Sequence, residues 1–136
     1  MTTQHVMKYN KILSFISILF FIFILWIIYL ANTGQSSIFF TFVASMPYGD
    51  KIGHFFIFGL LTIGANILFK FKTFWLYKLH IYFGSVFVLL FALCEELSQY
   101  FLASRTLDLF DFLADLLGIF IFSLFTHLLR KCMDKS

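Results

Sequence analysis

Four apolar stretches in this chain are each long enough to cross a bilayer: Ile12–Leu30, Ile52–Phe69, Ile81–Leu102 and Phe110–Leu129. At 1.5 Å of rise per residue, even the shortest of these spans about 27 Å as a helix, close to the roughly 30 Å of a hydrocarbon core. Inside that core the backbone must satisfy its own polar groups, and a helix does so within one segment. The expected fold is all-α: a polytopic membrane protein forming a bundle of four transmembrane helices, as a single domain over residues 1–136. Composition agrees. Hydrophobic residues make up 61% of the chain and charged residues 12%, against about 45–50% and about 25% in soluble domains. No polar stretch is long enough to fold as a separate soluble unit. The net charge of +3 is not a nucleic-acid signature, because the basic residues flank apolar segments instead of forming one face. The first apolar run is about twice the length of a signal-peptide core and has no small-residue cleavage motif, so it reads as an anchor.

The basic residues predict the orientation. Lys8 and Lys11 lie in the N-terminal tail, Lys70, Lys72 and Lys78 between the second and third stretches, and Arg130, Lys131 and Lys135 in the C-terminal tail. With four spans these regions share one side, and only Lys51 and Arg105 fall on the other. Both termini are therefore expected in the cytoplasm. Cys94 and Cys132 then lie toward opposite faces, and no disulfide between them is expected.

The acidic residues collect on the other side. Asp50, Glu95, Glu96, Asp108, Asp111 and Asp115 all fall near the helix ends predicted for the outer face, as do His54, Gln99 and Arg105. Carboxylates next to hydrocarbon are expensive, so such a cluster is a functional-site candidate. Along the fourth helix Asp108, Asp111, Asp115 and Gly118 are spaced three, four and three residues apart, which places them on one face about 80° wide. Asp108 suits an N-cap and Asp111 a first-turn acid. Asp115 is too deep to cap and needs a partner or a water-filled cavity. Ala114 and Gly118 are spaced for close helix packing. On the third helix Glu95 and Glu96 flank Gln99, and one of the two is expected to face the site. On the second, Asp50 and His54 are i, i+4 neighbours, so Asp50 is expected to hold the imidazole in one tautomer. Its alternative role is the N-cap after Pro47-Tyr48-Gly49. Asn66, far from this cluster, reads as an interhelical hydrogen bond. Arg105 offers a fork for a carboxylate or a phosphate, and pairing with Glu96, Asp108 or Asp111 is expected.

These residues resemble the pattern of the VanZ-like family of small bacterial membrane proteins. The pattern opens with Asp50-Lys51-x-x-His54, continues with Glu96-x-x-Gln99, Arg105 and Asp108, and closes with Asp111-x-x-x-Asp115-x-x-Gly118. It covers residues 50–118, and it departs from the family at Asp115, where the family usually has Asn. The resemblance implies a multi-pass protein of the bacterial cytoplasmic (inner) membrane, acting in the cell envelope. The family's named member is associated with resistance to the glycopeptide teicoplanin. No reaction comes with the resemblance.

Three functions compete. The first is a non-enzymatic factor whose outer site, formed by Asp50, Lys51, His54, Glu96, Gln99, Arg105, Asp108, Asp111 and Asp115, binds a lipid headgroup, a lipid-linked wall precursor or a glycopeptide. The second is an intramembrane enzyme acting on such a lipid, with His54, Glu96 and Asp111 as acid/base candidates. The third is a proton- or cation-coupled transporter. The partner expected is a membrane lipid or lipid-linked precursor, with no nucleic acid. No cofactor is implied. No metal site is expected either, because the cluster has no H-E-x-x-H, no second histidine and no zinc-ligand spacing.

Overall fold

A computed structural model describes residues 3–35, 37–103 and 106–135, with side-chain surroundings from Lys11 onward apart from Phe39. The elements run α1 (Thr3–Asn32), α2 (Ile38–Ala44), α3 (Gly49–Leu68), β1 (Thr73–Leu76), β2 (Leu79–Tyr82), α4 (Phe83–Gln99) and α5 (Leu109–Lys135). Among the described residues, three helical segments are long and apolar enough to cross a membrane: Lys11–Asn32, Gly49–Leu68 and Leu109–Lys135. Their outward faces carry large apolar side chains such as Phe15, Ile22, Leu117 and Phe120, all exposed. A soluble protein would bury such a surface. The chain is a mostly helical membrane protein.

Two features differ from the sequence expectation. The first is a small antiparallel hairpin in the connection between the second and third apolar stretches of an otherwise helical fold. Thr73-Phe-Trp-Leu and Leu-His-Ile-Tyr82 pair residue for residue, from Thr73 with Tyr82 to Leu76 with Leu79. Aromatic and β-branched residues flanking a two-residue turn favour this arrangement. The turn residue Tyr77 takes φ 57°. Second, the hairpin claims Ile81 and Tyr82, so the third apolar stretch is helical only over Phe83–Gln99, 17 residues. That is about 25 Å at the helical rise.

α3 is the central helix. It packs on α1, α2, α4 and α5. The core lies along it, with Phe58, Leu61 and Ala65 meeting Ile24 of α1, Val88 and Ala92 of α4 and Ile119 of α5. Small residues set the approach distances. A Cβ on Gly118 would collide with the Phe55 carbonyl oxygen of α3, and one on Gly84 would collide with the backbone of Asn66. Toward the hairpin end, Asn66 donates from Nδ2 to Ser85 Oγ at 3.1 Å and to Thr126 Oγ1 at 3.3 Å. The expected interhelical bond is thus present, and it ties α3, α4 and α5 together.

The Gly118 contact is directly testable. Gly118→Ala must push α5 off α3 and is expected to destabilise the detergent-purified protein by about 1–3 kcal/mol, the usual range for overpacking. Gly53→Ala, where an added Cβ meets nothing within 4 Å, is expected to leave the melting temperature unchanged.

Candidate functional site

The alternating helix directions bring the start of α3, the end of α4 and the start of α5 to one end of the bundle, beside the end of α1 and the short α2. Their polar side chains meet there in two layers.

The upper layer centres on Lys51. Its Nζ lies 3.0 Å from Asp50 Oδ2, 3.1 Å from Asp108 Oδ2 and 3.2 Å from Asp111 Oδ1. One ammonium therefore joins the first turns of α3 and α5. Asp108 also caps α5, accepting from the Phe110 N–H at 2.9 Å. The Phe110 N–H and the Lys51 ammonium hold the Asp108 carboxyl below its ordinary range. Because that range is lower in the fold than in the unfolded chain, its contribution is complete at neutral pH and is lost as acidification protonates it.

The lower layer centres on His54. Its Nδ1 bonds Asp115 Oδ1 at 2.8 Å. Asp115 is ionisable yet fully buried on α5. With Asp115 ionised, the Nδ1–H donates to it, and Nε2 is turned toward Asp111 Oδ2 at 3.9 Å. The Phe58 ring stacks against the imidazole with centroids 6.0 Å apart. Glu96 Oε1 lies 4.0 Å from His54 Nδ1. Glu96 is 3% exposed. Among the described residues, neither of its oxygens has a hydrogen-bond partner, and neither does Asp115 Oδ2. Beside it, Gln99 Nε2 donates to both oxygens of Glu95, at 3.0 and 2.9 Å.

A cavity of about 360 Å³ opens against these layers. One wall is apolar, from Ile24, Ile27 and Ile28 of α1 and Phe40 and Val43 of α2. The other is polar, from Asp50, His54, Glu95, Gln99 and Asp111.

Asp50, Lys51, His54, Glu96, Gln99, Asp108, Asp111 and Asp115 thus share one end of the bundle. Arg105, with its expected carboxylate pairing, lies outside the described residues. Two local readings are corrected. Asp50 does not orient His54: it pairs with Lys51, and Asp115 takes the imidazole instead. Asp50 is not the N-cap of α3 either, since the helix starts at Gly49 behind Tyr48, which has φ 54°. Glu95 is the residue that sequence reasoning left out of the site. Both Glu95 and Glu96 turn inward and are buried. The Glu95–Gln99 i, i+4 spacing was the available signal.

The fold and this site define a helical membrane protein with a cluster of ionisable groups buried at one end of its bundle. No family model matches the chain, and no solved structure matches it. An uncharacterised protein of the fission yeast Schizosaccharomyces pombe is 38% identical over 86 residues, which is 63% of this chain and 51% of the relative. The chain spans about half the length of the curated relative it matches. That relative is eukaryotic, so the expected location in a bacterial inner membrane is not upheld.

The Lys51 bridge yields a prediction. Lys51→Gln leaves three carboxylates facing one another and is expected to lower the melting temperature. The loss should be larger at low than at high ionic strength, since salt screens partly exposed charges. A salt-independent effect would show that Lys51 acts through packing alone.

Proposed function

We propose that the protein binds the polar head of a membrane lipid in the cavity between α1, α2 and α3. The observation that carries this reading is the split lining. An apolar wall suited to acyl chains faces a wall rich in carboxylates at the end of a membrane-spanning bundle. A cavity of this volume, apolar with a few convergent polar groups, falls in the range of small-ligand sites. Carboxylates accept hydrogen bonds, so the head selected is one that presents amine or hydroxyl donors. In this reading α4 is the fourth span, its short length matched by local bilayer thinning. Among the described residues, Asp50, Lys51, His54, Glu96, Gln99, Asp108, Asp111 and Asp115 of the VanZ-like resemblance share one end of the bundle, which supports treating them as one motif. Nothing among the relatives supports wall precursors or glycopeptides as ligands.

A second reading rests on the His54–Asp115 bond. A carboxylate that fixes one imidazole nitrogen and leaves the other turned toward a cavity residue is the arrangement of a general base. An enzyme acting on the bound lipid is therefore the alternative. A proton-coupled transporter is less favoured, because the buried carboxylates Glu95, Glu96 and Asp115 gather at one end while Asn66, Ser85, Ser123 and Thr126 form a neutral network toward the other.

Native mass spectrometry of the full chain, delipidated and then offered defined lipids, tests the proposal. Phosphatidylethanolamine, whose head donates hydrogen bonds, is expected to be retained in preference to phosphatidylcholine, whose head does not. Ile27→Trp, which fills the cavity, is expected to abolish the preference. Equal retention of both lipids by wild type and variant would contradict the binding site, and a change in lipid mass during incubation would favour the enzyme.

A further inference from the structure

We infer that His54, Glu96 and Asp111 form a binding site for a first-row divalent metal ion, with Asp115 orienting the histidine. One donor atom from each of the three ligands lies within 4.8 Å of the others. They come from α3, α4 and α5 respectively. Metal–ligand bonds of about 2.0–2.2 Å require donors roughly 3–4 Å apart, so small side-chain rotations close the set.

Three observations favour a metal over a chance acidic cluster. The first is Glu96. It is almost fully buried, points toward His54, and has no hydrogen-bond donor to either oxygen among the described residues. A buried carboxylate in that state is costly, and coordinating a cation is one of the few ways to offset it. The second is Asp115, whose Oδ1 lies 2.8 Å from the imidazole Nδ1 and, as a carboxylate, accepts its proton. Metal-binding histidines characteristically give their other ring proton to a carboxylate, which fixes the tautomer and strengthens the ligand. Here Nε2 is left as the donor, 3.9 Å from Asp111 Oδ2, while Glu96 Oε1 lies 4.0 Å from Nδ1, so the Glu96 side chain must swing toward Nε2 to complete the set. The third is the contrast with the neighbouring trio Asp50, Asp108 and Asp111, which has similar spacing but already encloses the Lys51 ammonium at 3.0–3.2 Å. That trio has its cation in the sequence. The deeper trio has no lysine or arginine paired with Glu96 among the described residues.

One imidazole nitrogen and two carboxylate oxygens suit Mn2+, Fe2+ or Zn2+ better than the all-oxygen shells of Mg2+ and Ca2+ or the thiolate sites of softer ions. Three protein ligands leave coordination positions open. His54 and Asp111 also line the cavity, so the open positions face it. The motif escapes sequence search because each helix supplies a single ligand. The site does not rest on the lipid reading, which is tested separately on delipidated protein.

The test uses the full chain purified in detergent, stripped with chelator and titrated with Zn2+ and with Mn2+. Metal content is read by mass spectrometry and Mn2+ binding by electron paramagnetic resonance. One ion per chain is expected. Asp115→Ala is expected to weaken binding about 10–100-fold, as loss of an orienting carboxylate does. Glu96→Gln and His54→Ala, which remove ligands, should lose more than that. His127→Ala, toward the hairpin end beside Tyr82, should bind as wild type does. Glu96→Gln is nearly isosteric and removes a buried charge, so its helicity by circular dichroism should be retained, and its loss of metal cannot be ascribed to unfolding. Failure of the wild type to take up either ion stoichiometrically would overturn the inference. So would uptake that Glu96→Gln and His54→Ala leave unchanged.

Discussion

The hydrogen bond between His54 and Asp115 is the constraint around which the polar end of this bundle is built. Asp115 is fully buried in an apolar assembly, and a buried carboxylate without a partner would be strongly destabilising. The bond forces α3 and α5 to one separation. Gly118, three residues along α5, permits that separation by letting the helix rest on the Phe55 carbonyl, the residue next to His54. Packing and electrostatics thus specify the same helix pair at the same depth. A side chain at Gly118 would pull the two helices apart where the hydrogen bond needs them close.

The two ends of the bundle solve the problem of buried polarity differently. Near the hairpin, Asn66, Ser85, Ser123 and Thr126 form a neutral network, with Ser85 and Ser123 hydroxyls 2.7 Å apart. Every group in it has a partner, which fixes the mutual register of α3, α4 and α5. At the other end the groups are ionisable and only partly satisfied: Lys51 clamps Asp50, Asp108 and Asp111, while Glu96 and one oxygen of Asp115 have no donor among the described residues. A fully satisfied network favours a unique structure, whereas an incompletely satisfied one is where ligand chemistry is expected. The neutral network thus holds α3, α4 and α5 in register near the hairpin, while the unsatisfied carboxylates lie at the end that carries the cavity.

Much of this was legible in the sequence because it depends on short-range periodicity. The spacing of Asp108, Asp111, Asp115 and Gly118 placed them on one helix face, and α5 presents Asp111, Asp115 and Gly118 to α3 as that spacing requires. Asn66 as a polar tie and Asp108 as a cap followed from local rules. Partner choice did not. Asp50 and His54 sit one turn apart, but their spacing does not say which way each side chain turns, and Lys51 competes for Asp50 while Asp115 competes for His54. Glu95 was passed over because adjacent positions on a helix diverge, and only the surrounding helices bring both glutamates under cover. The hairpin was hidden by its apolar residues, which continue the hydropathy of α4 without sharing its conformation. The apolar cavity wall on α1 and α2 comes from contacts distant in sequence, which no local pattern encodes.

The central claim is that α3 and α5 meet through one buried ionisable pair, and a double-mutant cycle on His54 and Asp115 tests it most directly. His54→Gln, Asp115→Asn and the double variant would be compared with wild type by equilibrium unfolding in detergent. Contacting residues in one polar network show coupling energies of about 0.5–3 kcal/mol, and a value in that range is predicted. Additivity of the two single effects within about 0.5 kcal/mol, as for residues that do not touch, would contradict the account.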